Sequence, residues 1–262
     1  MISVIIPNFN YLRYLHKTIE SVLLQKTSRL EIIVVDSGST DSSVDVIRRD
    51  FPNILVLENP FGGQARSRNL GILASCGDEL AILDADDFWF ENKLQKQLPL
   101  IKPEIQLVYS GAAVFSDKFG LLDYIEPKYR GDCRKYFRVG KGEAVVTCGE
   151  SSAIFTRRLY DQLGGFDEAL SYGSGWDFFR RAAELTFFDF INEPLVAYRQ
   201  HESNMSHKVN LAVRETIVCH WKIVTEDKLS VKENAKMSLR LFSTVIKTYL
   251  KAIGMKLCRT RR

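Results

Sequence analysis

The chain has 262 residues, 45% of them hydrophobic, with 36 Lys and Arg against 32 Asp and Glu. That length allows one large domain or a domain with an appendage, and a net charge of +4 is too small to argue for nucleic acid as a partner. The five cysteines, Cys76, Cys133, Cys148, Cys219 and Cys258, are odd in number and form no C-x-x-C pair, which disfavours a disulfide framework or a structural zinc site and points to a reducing compartment. No basic-then-apolar leader is visible and no stretch approaches the roughly 20 apolar residues of a membrane span, so a cytoplasmic location is expected.

The first hundred residues alternate strand and helix signals. Ile2-Ser3-Val4-Ile5-Ile6-Pro7 reads as a strand. Residues 11–25 place Leu12, Leu15, Ile19, Val22 and Leu23 at helical spacing, with Asn10 as the expected N-cap. Residues 31–36 form a second buried strand, followed by a turn and a short helix near 42–49. A third strand at 54–57, a Gly-led helix over 62–75 and a fourth strand at 79–83 complete this half. Hydrophobic strands separated by helices predict an α/β fold with a mostly parallel sheet flanked by helices.

The second half is less regular. Residues 107–115 and 144–155 read as strands, residues 157–163 as a helix stopped by Gly164-Gly165, residues 176–185 as a helix and residues 195–198 as a strand. Beyond about 206 the pattern is helical, with Leu239, Phe242, Val245, Ile246, Tyr249, Leu250 and Ile253 on one face. The expected organisation is a domain over 1–206, split into halves 1–101 and 102–206, and a C-terminal helical extension over 207–262.

The most informative segment is Leu83-Asp84-Ala85-Asp86-Asp87, three carboxylates in four positions at the end of a buried strand. Partly desolvated carboxylates repel one another, so such a cluster favours a cation. Hard oxygen ligands suit magnesium or manganese, usually shared with a ligand's phosphates. In open sheets of this kind ligands bind beyond the carboxyl ends of the strands. Residues 7–10, 36–41 and 84–87 all fall at such ends.

Seven ordered motifs then carry a resemblance. They are Ser3-Val4-Ile5-Ile6-Pro7-Asn8-Phe9-Asn10; Ser21 with Gln25; Val34-Val35-Asp36-Ser37-Gly38-Ser39-Thr40-Asp41; Arg68-Asn69 with Gly71; Leu83-Asp84-Ala85-Asp86-Asp87; Gly164-Gly165-Phe166-Asp167-Glu168; and Tyr198-Arg199-Gln200-His201. Over residues 1–206 the chain resembles the family 2 glycosyltransferases with the nucleotide-diphosphosugar-binding GT-A fold, which is Rossmann-like. The resemblance implies that Asp36 accepts a hydrogen bond from the donor base, expected to be uracil. Pro7, Phe9 and Asn10 wall the nucleotide pocket, and Arg68 reaches the nucleotide. Asp84 faces the donor's ribose or the metal. Asp86 and His201 ligate a divalent metal, Mn2+ or Mg2+, that bridges the diphosphate. Asp87 is expected to cap the following helix.

The resembling family shows Glu-Asp-aromatic-Asp at a helix start, with the second residue as catalytic base. The corresponding run here is Ser174-Gly175-Trp176-Asp177, which leaves Gly175 at that position. Asp177 is the nearest surviving carboxylate and the expected base; Glu150, in Cys148-Gly149-Glu150-Ser151-Ser152, is the competitor. The implied function is metal-assisted, inverting transfer of a sugar from a nucleotide-sugar, with uridine diphosphate as the expected carrier, to a hydroxyl of a glycan or lipid-linked glycan. The alternatives are a sugar nucleotidyltransferase, disfavoured because residues 7–10 lack a Gly-rich phosphate loop, and a non-catalytic nucleotide-sugar-binding scaffold. Lys247, Lys251, Lys256, Arg259, Arg261 and Arg262 make the tail basic, which raises peripheral binding to an anionic membrane surface.

Overall fold

A computed structural model describes residues 1–27, 29–139, 144–202, 204, 208–226, 235–239, 241–243 and 245–246. Strand β1 (Ile2–Asn8) is buried along almost its whole length, as a strand covered on both faces must be. It pairs in parallel with β2 (Leu30–Asp36) on one side and β4 (Glu79–Ile82) on the other; β3 (Leu55–Glu58) adds in parallel to β2. The connecting helices are α1 (Leu12–Leu23), α2 (Ser43–Asp50) and α3 (Gln64–Ala74).

The second half contributes β5 (Phe88–Trp89), β6 (Ile105–Ser116), β7 (Gly120–Ile125), β8 (Ile154–Thr156) and β9 (Phe187–Arg199). Its helices are α4 (Lys93–Gln97), α5 (Arg134–Val139), α6 (Arg157–Leu163), α7 (Ser174–Ala183) and α8 (Val209–Glu226). Among the described residues the strands join one sheet in the order β3-β2-β1-β4-β8-β6-β9-β5, with β7 paired to β6. Strand β8 is antiparallel to both its neighbours, while β6 and β9 run parallel. The parallel first half and the mixed second half therefore meet at β4, whose carboxyl end carries the acidic cluster.

Alternate residues of each strand feed two apolar layers. Ile5, Ile33, Ile82 and Leu107 face Ala65 and Ile72 of α3, Leu159 of α6 and Phe178 of α7. Val4, Val34, Ala81 and Val108 face Leu15 and Ile19 of α1, Ile47 of α2 and Leu94 of α4. Helix α3 lies close on the sheet because residue 71 is glycine: a Cβ there would fall 2.5 Å from Ile5 Cγ2 and 3.0 Å from Val35 Cγ2.

Three expectations need correction. Residues 144–155 are not one strand. Cys148 (φ 50°) and Gly149 (φ 57°) are left-handed, a single 3-10 turn follows at Gly149–Ser152, and only Ile154–Thr156 pairs. Asn10 does not cap α1; it is itself left-handed (φ 59°), and its Oδ1 accepts from the Thr40 amide at 2.8 Å, so it braces the 37–41 turn. The strand expected at 195–198 is the end of the 13-residue β9. Its middle, Asn192-Glu193-Pro194, breaks the apolar pattern where the register with β6 shifts.

Helix α8 is bonded to the second half rather than standing apart from it. Glu215 accepts from the Ser171 and Gly173 amides, and Trp176 stacks on His220 at 6.4 Å with an interplanar angle of 5°. Of the basic face expected in the tail, Lys247 and everything beyond lie outside the described residues.

Gly71→Ala is expected to lower the unfolding free energy by about 1–3 kcal/mol, because overpacking against β1 outweighs alanine's better helix propensity. A fall in urea midpoint at unchanged slope checks it.

Candidate active site

Three strand ends converge on the site. At the end of β2, Asp36 is buried, and its carboxylate is fully engaged. Oδ1 accepts from Asn8 Nδ2 (2.7 Å) and Ser39 Oγ (2.6 Å); Oδ2 accepts from the amides of Gly38 (3.0 Å) and Ser39 (2.8 Å). A carboxylate offers about four lone-pair positions, and these four donors occupy them. Asp36 thus holds its own turn, and no acceptor position is left over for a base imide. It still helps line a cleft of about 430 Å³ with Gly38, Ser39, Thr40, Glu58 and Asn59. Phe9 is 55% exposed beside β1's end, Pro7 is half-buried and Asn10 is exposed, so all three stand at the surface of this region rather than in the core.

Strand β4 delivers Asp84, Asp86 and Asp87. Their turn is tied to α1 through Thr18, whose hydroxyl lies 2.8 Å from the Ala85 carbonyl and 2.7 Å from that of Asp87. Asp86 Oδ2 meets His201 Nε2 at 2.9 Å, so the two expected metal ligands come together across 115 positions of sequence. The His201 ring packs against Tyr11 and Tyr14, with centroids 5.7 and 5.2 Å away. Arg199 sets the approach of this segment by donating from Nε to the Asp86 carbonyl at 2.8 Å.

Asp87 does not cap the next helix. It is buried, accepting from the Arg199 amide (3.0 Å) and from Ser151 Oγ (2.7 Å), and so pins β9 and the 149–152 turn to the end of β4. Burial pushes its carboxyl well above the usual range, with Asp86 and Asp84 adding to the effect. Burial also pushes Asp84 up to about 6; Arg68 opposes that, and Glu150 and Asp86 reinforce it.

Arg68 is a buried guanidinium that pairs with side chains of these acids, and it points inward rather than to an open pocket. From α3 it donates to Asp84 Oδ1 (3.2 Å) and to Ser174 Oγ (2.9 Å), and lies 2.5 Å from Glu150 Oε1. A planar fork with several donors can serve three partners at once; a lysine could not reproduce this. The result is a compact group in which Asp84, Glu150 and the first turn of α7 share one cation.

Asp177 is not in that group. Its side chain is fully buried and bonded to Arg180 (3.3 Å), Arg181 (2.8 Å) and Lys222 (3.2 Å). Lys222 reaches it from α8 and also contacts Asp167 at 2.6 Å. The carboxylate expected to act as base is thus the centre of an ion network joining α7 to α8.

Among the described residues no three or more His, Cys, Asp or Glu converge as a ready-made metal cage. The donor set Asp86 and His201 nevertheless fits a divalent ion of the magnesium or manganese type. Such ions keep waters and take their remaining oxygens from substrate phosphates, and imidazole beside carboxylate is acceptable to manganese. The excess of negative charge at the end of β4 favours the same occupant.

The pattern of the family described as Glycosyl transferase family 2 matches residues 3–164. The chain belongs to that family. A glycosyltransferase of Nostoc sp. is 48% identical over 99 residues, 36% of this chain and 31% of the relative, so the chain spans under a third of that relative's length. A glycosyltransferase of Rickettsia typhi is 23% identical over 99% of this chain and 85% of its own. Among solved structures, Staphylococcus aureus TarS 1–349 in complex with UDP-GlcNAc aligns with a TM-score of 0.69 at 16% identity, covering 95% of this chain and 72% of that one. The mannosyltransferase PcManGT of Pyrobaculum calidifontis, in complex with GDP-Man and Mn2+, aligns with a TM-score of 0.68 at 18% identity, covering 98% and 75%. The architecture is therefore the GT-A fold.

As a family 2 glycosyltransferase the chain has site features that motif spacing did not show. Ser151 was one: its hydroxyl donates to Asp87 and accepts from the Asp84 amide at 3.2 Å, and its carbonyl accepts from Trp89 Nε1 at 2.9 Å. The signal available was the polar run Glu150-Ser151-Ser152 inside an otherwise apolar stretch, which a buried strand would not tolerate. Lys222 carried no signal, because its partners are fixed only when α8 docks.

Asp177→Ala is expected to cost about 1–3 kcal/mol, since it removes the acceptor that Arg180, Arg181 and Lys222 share across α7 and α8, leaving them Glu226, two backbone carbonyls and Asp167. The expected readout is a lower denaturation midpoint with unchanged affinity for nucleoside diphosphate in the protein that remains folded. Unchanged stability would show that the α7–α8 network carries little.

Proposed function

We propose that this protein transfers one sugar, with inversion, from a nucleotide diphosphosugar to a hydroxyl of a glycan or lipid-linked glycan. The observation that carries the reading is the Asp86–His201 pair, 2.9 Å apart, beside Asp84 at the carboxyl end of β4. When bound there, a divalent ion would supply charge stabilisation to the departing diphosphate, worth several kcal/mol. Asp86 and His201 would hold it, and Asp84 would face the ribose or the ion.

The nucleotide would lie toward the 430 Å³ cleft at the ends of β2 and β3, lined by Gly38, Ser39, Thr40, Glu58 and Asn59, and would reach Pro7, Phe9 and Asn10 at the end of β1. UDP is the donor nucleotide we favour, in keeping with the UDP-GlcNAc held by TarS; GDP, held by PcManGT, is the competitor. Because Asp36 has its four acceptor positions filled, the base is read by other groups of the cleft. The acceptor would approach from the second half, where the α7 start and the 149–152 turn flank the acidic group. The basic tail residues Lys247, Lys251, Lys256, Arg259, Arg261 and Arg262 support attachment to the inner face of an anionic membrane, where a lipid-linked acceptor resides. Co-sedimentation with anionic but not zwitterionic vesicles checks that part.

A melting panel of UDP, GDP, UDP-GlcNAc and GDP-mannose with Mn2+ or chelator tests the main reading. At least one ligand should raise the melting point with Mn2+ and much less with chelator, and the matching sugar nucleotide should be consumed. Asp86→Ala should slow that consumption by about 100-fold or more. No shift with any ligand, or indifference to both chelator and Asp86→Ala, would sink it.

A further inference from the structure

The start of α7 lacks a side chain at residue 175, and the space it leaves is filled from elsewhere. A Cβ on Gly175 would fall 2.1 Å from Glu150 Oε1, 2.3 Å from its Cδ and 2.7 Å from its Oε2. The Glu150 carboxyl group thus occupies the volume that any side chain at 175 would need. It sits in the acidic group of the site, with Oε1 2.5 Å from Arg68 Nη1, and Arg68 in turn donates to Asp84.

We propose that Glu150 is the catalytic base of this enzyme, delivered from the 149–152 turn into the space opened by Gly175. The inference rests on the transfer reading above and assigns a residue to it. Three observations favour Glu150 over Asp177. Asp177 is wholly buried and bonded to three cations. Glu150 retains about a tenth of its side-chain surface, and among the described residues no hydrogen bond reaches its Oε2. Its turn is rigidly placed: Ser151 bonds Asp87 and the Asp84 amide, and the Ser152 carbonyl accepts from Gln97 Nε2 at 2.9 Å. Left-handed Cys148 and Gly149 swing the turn inward.

In the step this implies, an acceptor hydroxyl oxygen forms its bond to the anomeric carbon as Glu150 Oε2 takes the hydroxyl proton. The bond from the anomeric carbon to the diphosphate oxygen breaks, and its electron pair leaves with the nucleoside diphosphate. In the resting site Arg68 Nη1 holds Glu150 through Oε1 and leaves Oε2 toward the acceptor side. Once Glu150 is protonated, Arg68 still has Asp84 as its anionic partner, so the step strands no buried cation. The proton then passes to solvent.

The test uses the full chain, Mn2+ and whichever of UDP-GlcNAc or GDP-mannose the wild type consumes, following nucleoside diphosphate release. Glu150→Gln keeps volume and hydrogen-bonding capacity but cannot take the proton. It should lose roughly 10²–10⁴-fold in rate while melting point and nucleoside diphosphate affinity stay near wild type. Gly175→Asp should be slow because its side chain meets the Glu150 carboxyl. The double variant Glu150→Ala/Gly175→Asp supplies a carboxylate to the same space from α7 and should recover at least tenfold over Glu150→Ala.

If the wild type turns over and Glu150→Gln keeps its rate within threefold, the assignment of Glu150 falls while the transfer reading stands. A double variant no faster than Glu150→Ala counts against the shared space. If the wild type binds donor but releases no diphosphate with any acceptor, the transfer reading falls and takes this one with it.

Discussion

The site depends on a charge imbalance. Asp84, Asp86, Asp87 and Glu150 gather at the carboxyl end of one short strand; buried Arg68 pairs with the Asp84 and Glu150 side chains, while buried Arg199 spends its guanidinium on the Asp86 carbonyl and Asp117. Carboxylates brought together out of water raise one another's pKa, as Asp84 and Asp87 show. Arg68 relieves part of this at Asp84 and also pairs with Glu150. Asp86 lies outside those pairs: among the described residues its side chain is bonded by His201. The fold thus leaves a residual negative charge at one defined point, where a divalent ion and a diphosphate can complete it together.

That arrangement needs exact placement of α3, α7 and the 149–152 turn. Helix α3 presses onto β1 and β2 because Gly71 removes a side chain that would meet Ile5. Arg68, three residues earlier on the same helix, is thereby brought over the end of β4. The turn is fixed by Ser151, which bonds both Asp84 and Asp87, and α7 by its bonds to α8. The parallel half supplies the platform, and the mixed half brings the second set of groups over it. Strand β8, antiparallel between β4 and β6, is the seam through which the two halves share one sheet.

Much of the first half was legible because its signals are local. Runs such as Ile32-Ile33-Val34-Val35 announce a covered strand, and Leu15, Ile19 and Val22 announce a helix face. The pairing of Asp86 with His201 was legible only through motif order, since 115 positions separate them. The second half resisted reading where structure is set by partners distant in sequence. Residues 144–148 and 153–155 are apolar enough for strand, but the polar run Glu150-Ser151-Ser152 between them follows two left-handed residues that turn the chain, and only Ile154–Thr156 pairs. Asp177 looked available at a helix start because Lys222, 45 positions later, arrives only with α8.

The acids that sequence reading placed in the chemistry divide by one physical criterion, the number of acceptor positions already filled. Asp36 has four donors, Asp177 has three cationic partners, and buried Asp87 has a donor on each oxygen. Each holds backbone or helix in place, and releasing it for chemistry would leave buried donors unmatched. Asp84 is bonded only at Oδ1, Asp86 only at Oδ2 and Glu150 only at Oε1 among the described residues. Each of these three has one oxygen unbonded among the described residues, and all three lie in the same acidic group. A carboxylate must have a free lone pair before it can take a proton or a metal ion. Spacing along the chain does not reveal this, because the competing donors come from the folded surroundings. It is why Asp36 and Asp177, both prominent in the motifs, serve the framework, while Glu150, which stands in no motif, is left able to react.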